Sequence, residues 1–102
     1  MKIDYERSGG FTGATVKVSL DTASLPPETA NGFLNAFTAA HFFELPPKLA
    51  PDTPQADAFV HRLTLDDEQR HHSVEMVDST VPDPLQPILR QLTILARRQN
   101  RG

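Results

Sequence analysis

The chain has 102 residues, nine of them proline, and it contains no cysteine and no tryptophan. A length of this order serves one domain with one core and excludes a deep cleft between two domains. Ten basic residues against thirteen acidic ones give a formal charge of −3, so no global field draws the chain onto nucleic acid or an anionic membrane. The absence of cysteine excludes a disulfide scaffold, a thiolate metal site and a cysteine nucleophile, and it is compatible with a reducing compartment.

The opening segment, MKIDYERSGG, carries charge at Lys2, Asp4, Glu6 and Arg7. It has no apolar stretch of the kind a secretory signal needs. No window approaches the roughly 18 consecutive apolar residues of a membrane span. The expectation is a soluble, cytoplasmic protein that does not enter the membrane.

Strand patterns come first. Ile3, Tyr5 and Arg7 alternate with Lys2, Asp4 and Glu6, and Val16, Val18 and Leu20 alternate with Thr15, Lys17 and Ser19. Between them, Ser8-Gly9-Gly10-Phe11-Thr12-Gly13 places three glycines in six residues. Such a loop requires positive φ or a close backbone approach, and the whole reads as a hairpin. The period then changes. Leu25-Pro26-Pro27-Glu28 is a helix start, with Ala30, Phe33, Leu34, Phe37 and His41 on one apolar face. That helix ends around His41 to Phe43, before Leu45-Pro46-Pro47.

Residues 46–55 hold four prolines and read as an extended surface connection. Alternation resumes over 57–66, with Phe59, His61, Leu63 and Leu65 on one face. A polar turn, Asp66-Asp67-Glu68-Gln69, leads to His72, Val74 and Met76 on a returning strand. Asp83-Pro84 reads as an N-cap followed by proline at the first helical position. The last helix turns Leu85, Ile88, Leu89, Leu92, Leu95 and Ala96 inward and carries Pro87 at its fourth position. The expected architecture is α+β in the order β-β-α-β-β-α. Four mainly antiparallel strands form one sheet with both helices on one face, in a single domain over 1–102 whose residues 98–102 form a frayed tail.

Catalytic and metal chemistry find little support. Of the four histidines, His71 and His72 are neighbours on a strand and point to opposite faces, and no H-x-x-x-H or H-x-H occurs. No G-x-S-x-G elbow is present, and Asp66, Asp67 and Glu68 sit in a water-exposed turn. The glycine loop leads into a strand, not the helix N-terminus of a phosphate loop. Arg90, Arg97, Arg98 and Arg101 make a local basic patch without the exposed aromatics of a nucleic-acid module. The reading is a non-enzyme with no catalytic residue, metal or cofactor. Phe11 stands apart, since it either folds back over the sheet edge or is held out as an aromatic anchor for a partner's pocket.

Tyr5-Glu6-Arg7-Ser8-Gly9-Gly10-Phe11-Thr12-Gly13, Leu25-Pro26-Pro27-Glu28, Phe42-Phe43-Glu44-Leu45-Pro46, Asp57-Ala58-Phe59 and Pro84-Leu85-Gln86-Pro87-Ile88-Leu89 follow one another in that order. Together they resemble the emfourin family, small bacterial inhibitors of thermolysin-like (M4) metalloproteases such as protealysin. The resemblance implies a protein partner and an inhibitor that carries no metal itself. It points to Ser8, Gly9, Gly10, Phe11, Thr12 and Gly13 as the loop that enters the protease cleft. The alternative is a non-enzymatic binding or structural module, with the chain a monomer or a weak homodimer paired through the exposed sheet.

Overall fold

The computed structural model describes residues 1–9, 15–53 and 58–99. Its regular elements are β1 (Lys2–Gly9), β2 (Val16–Asp21), α1 (Pro27–Ala39), β3 (Lys48–Leu49), β4 (Phe59–Asp66), β5 (His71–Val77) and α2 (Gln86–Gln99). Short 3-10 turns lie at Thr22–Ser24, Phe42–Glu44, Asp78–Thr80 and Asp83–Leu85. The strands form one sheet in the order β2-β1-β4-β5-β3, antiparallel except where β3 runs parallel to β5. The α+β class and the β-β-α-β-β-α succession stand, but the sheet is five-stranded and mixed instead of four-stranded.

The additional strand is two residues long and lies within the proline-rich connection. Proline holds a chain extended, which leaves neighbouring residues ready to pair. Pro47 accepts a hydrogen bond at its carbonyl from Glu75 N–H (2.8 Å), and Lys48 and Leu49 then align with Glu75 and Met76. Thr80 closes the arrangement, donating from Oγ1 to Leu49 O (2.8 Å) and accepting from Val77 N–H (3.0 Å). Two paired residues are too short a run to show an alternating pattern.

Strand register sorts the side chains. Ile3 lies beside Leu20 and Leu65, Tyr5 beside Val18 and Leu63, and Leu63 beside Val74. These residues join Phe33 and Phe37 of α1 and Ile88, Leu89, Leu92 and Ala96 of α2 in a single buried cluster, so both helices cover the same face. Overall dimensions of 37 × 36 × 20 Å suit one sheet layer and one helix layer. The opposite face is polar and cross-linked. Lys17 pairs with Glu6, Glu75 with both Arg62 and Lys48, Ser19 donates to Asp4, and Thr64 meets Ser73.

Both helices depart from the expected ends. Helix α1 begins at Pro27 with Glu28 in its first turn, but stops at Ala39. His41 is not on its apolar face; it is exposed, at φ 51°, and its ring lies 3.5 Å from Glu44. This left-handed residue reverses the chain into the Phe42–Glu44 turn, where Phe42 is buried and touches His72 edge-on. His72 Nε2 also donates to Leu45 O (2.7 Å), tying that turn to β5.

Helix α2 starts one turn later than Asp83-Pro84 suggests. Pro87 has no N–H to offer the Asp83 carbonyl, which instead takes Gln86 N–H in a 3-10 bond. Pro87 is therefore the second α-helical residue and not the fourth, a position where its missing donor has no cost.

Two consequences are measurable. Left-handed backbone favours glycine, so His41→Gly raises stability by about 1 kcal/mol in urea unfolding; an unchanged or lower midpoint contradicts the turn geometry. At the β4–β5 turn, Gln69 and Arg70 donate backbone N–H bonds to Asp67 (2.8 and 2.6 Å), holding its carboxyl below the ordinary 3.8. The folded chain keeps Asp67 ionised where the unfolded chain protonates it. Its stabilisation is thus complete above that ordinary value and lost as pH falls further. Asp67→Ala lowers the unfolding midpoint at neutral pH, and the difference from the parent shrinks at strongly acidic pH.

Candidate functional site

Ser8 and Gly9, the first residues of the Ser8–Gly13 segment, are the last two residues of β1. Ser8 and Gly9 are described, opposite Val60 and Phe59 of β4, whereas Gly10, Phe11, Thr12 and Gly13 lie outside the described residues. The requirement read from the glycines is met at Gly9, which has φ +100°. A Cβ there would stand 2.8 Å from Ala58 O, so the backbone entering β4 approaches more closely than a side chain allows.

Antiparallel register brings other segments to this end. Gly9 ends β1 opposite Phe59, which begins β4, and Val60 pairs with Val77, the last residue of β5. Three connections therefore emerge side by side: the one after β1, the one before β4, and the Asp78–Thr80 turn after β5. Arg7 sets its guanidinium over the Phe59 ring, 4.3 Å from the centroid. Behind it, Arg7, His61 and Asp78 form one wall of a groove of about 440 Å³, and Arg90, Thr93 and Arg97 of α2 form the other.

A hydrogen-bond chain crosses the floor of this groove. Asp78 Oδ1 lies 2.6 Å from His61 Nε2, His61 Nδ1 lies 2.7 Å from the Tyr5 hydroxyl, and that hydroxyl lies 3.1 Å from Thr93 Oγ1. Thr93 Oγ1 also lies 2.8 Å from Leu89 O, so its single proton is shared between that carbonyl and the Tyr5 oxygen. A neutral imidazole that donates from Nε2 to the carboxylate keeps Nδ1 as the acceptor for Tyr5. Burial pushes the Tyr5 hydroxyl up from its ordinary value, against the lowering effect of its bond to Thr93. Tyr5 is 2% exposed and His61 7%, so the chain joins sheet to helix and offers no accessible nucleophile.

The remaining histidines occupy separate places. His41 is beside Glu44, His71 is 3.4 Å from Asp66, and His72 is committed to Leu45 O. Among the described residues no three His, Asp or Glu side chains converge to hold a metal. No described helix is long and apolar enough to cross a membrane. The groove itself escaped the sequence reading, because Arg7 is about 80 residues from the helix it faces. One partial signal existed: His61 occupies an inward position among Phe59, Leu63 and Leu65, where a polar ring requires a partner.

The match to known proteins is at the level of family. The emfourin family model aligns with residues 5–93, which includes Tyr5, the β1 end, both halves of the sheet and α2 through Thr93. The chain belongs to the emfourin family, a family of inhibitors, and that membership is consistent with a protease-inhibitor role. No curated protein and no solved structure matches it.

The buried Tyr5 hydroxyl links His61 to Thr93. Tyr5→Phe leaves His61 Nδ1 without its partner and lowers unfolding stability by about 1–3 kcal/mol. A loss well under 1 kcal/mol in chemical denaturation contradicts a structural role for the chain.

Proposed function

We propose that this protein is a non-enzymatic, cytoplasmic inhibitor of a thermolysin-like (M4) zinc metalloprotease, and that its Ser8–Gly13 loop occupies the active-site cleft. Family membership over residues 5–93 carries the reading. In it, Phe11 fills the apolar pocket that such enzymes offer just beyond the scissile bond, and the flanking glycines let the backbone lie close to the cleft wall. The inhibitor brings no metal; the zinc belongs to its target.

The arrangement at the end of the sheet supports this. One loop cannot supply the roughly 800 Å² that each partner buries in a specific interface. The connection before β4 and the Asp78–Thr80 turn emerge beside it and widen the contact. With no disulfide available, the close-packed Gly9 corner, the Arg7–Phe59 stack and the Tyr5–His61–Asp78 bonds hold the base of the loop. The alternative, a homodimer through the open sheet face, meets a surface whose charges already pair with one another.

Burying a large apolar side chain contributes about 1.5–3 kcal/mol. Phe11→Ala therefore weakens inhibition of a thermolysin-like protease by about ten- to a hundredfold, with the unfolding midpoint nearly unchanged. Equal inhibition by the variant removes the loop from the mechanism, and no inhibition by the parent removes the proposed function.

A further inference from the structure

We propose that the groove between α2 and the β1–β4 end of the sheet binds an extended acidic segment of the protein partner. The assignment rests on the inhibitor reading only in taking the partner to be a protein.

The observation behind it is an imbalance of charge. The chain is acidic overall, yet Arg7, Arg90 and Arg97 line this groove, and among the described residues none of the three forms an ion pair. Four of the other cations are matched: Arg62 and Lys48 with Glu75, Arg70 with Asp67, Lys17 with Glu6. The one acid among the described residues that line the groove, Asp78, is already engaged. Its Oδ1 meets His61 Nε2 at 2.6 Å and its Oδ2 accepts from Phe59 N–H at 3.4 Å. Acids gather at the opposite end of the sheet, where Asp21, Asp66, Asp67 and Glu68 surround another depression. The fold thus concentrates unmatched positive charge beside the proposed inhibitory loop.

Geometry selects the ligand. Stacking on Phe59 pins the Arg7 guanidinium without occupying its N–H donors, which remain available for a carboxylate. Arg90 and Arg97 are seven residues apart on one helix, about 10 Å along its axis. A single phosphate cannot span that separation. An extended peptide advances about 3.3 Å per residue, so acidic side chains roughly three residues apart reach both arginines. Guanidinium groups suit this role because their planar donor sets match carboxylates two bonds at a time.

The probe is a capped tetraglutamate peptide titrated into the isotope-labelled protein at low salt, followed by amide resonances, with inorganic phosphate as the comparison. Expected are shifts centred on Arg7, His61, Arg90 and Arg97. Binding weakens about fivefold in the double variant Arg90→Gln/Arg97→Gln, whose positions are exposed, and weakens again as salt is raised. Shifts centred elsewhere, indifference to the double change, or phosphate binding as well as the peptide overturns the assignment. A separate inhibition assay keeps the two readings apart. If the parent leaves thermolysin-like proteases active while the peptide still binds the groove, the inhibitor reading fails and the groove assignment stands.

Discussion

The pairing of β1 with β4 is the constraint on which the rest of this molecule depends. Each strand belongs to a different hairpin, and fifty or more residues separate their aligned positions. Once paired, they form two of the three inner strands of the sheet and place Ile3, Tyr5, Leu63 and Leu65 on one face, none more than 2% exposed. Closing so long a loop has an entropic cost before any contact forms, and burial of those side chains under two helices offsets it. Neither hairpin has enough apolar surface to fold by itself.

The same register makes the candidate site. Because β1 and β4 are antiparallel, the exit of one lies beside the entrance of the other, and the chain at Ala58 presses against Gly9. A glycine at positive φ, a cation over a ring and a buried imidazole then occupy adjacent positions. The polar chain from exposed Asp78 through buried His61 and Tyr5 to Thr93 connects the sheet to α2. Rigidity at the base of a loop lets a protein present it without paying the full ordering entropy on binding. Cross-linked inhibitors reach that state with disulfides; here packing and hydrogen bonds must supply it.

Much of the fold was legible because its signals are local. Alternation at Ile3/Tyr5 and Val16/Val18, and helical spacing at Phe33/Phe37 and Leu85/Ile88/Leu92, depend only on which side chains face water. Where the reading slipped, longer-range terms decided. Lys48–Leu49 became a strand because β5 offered an open edge, and no pattern can appear in two residues. His41 left the helix face because burial of Phe42 required a left-handed reversal just before it. Pro87 moved the α-helical start because its missing donor turned the Asp83 carbonyl toward a 3-10 bond.

By itself the sequence determined an acidic, disulfide-free chain of α+β class, the order of its main elements, the need for an unusual backbone around Gly9, and a resemblance that the family match bears out. These follow from composition, periodicity and short motifs, all readable within a few residues. Only the tertiary structure decided the strand order, the fifth strand, the partners of His61 and the meeting of Arg7 with Arg90 and Arg97. Those features arise between residues distant in the chain. They are set by which faces can be buried together, a property of the whole packed core.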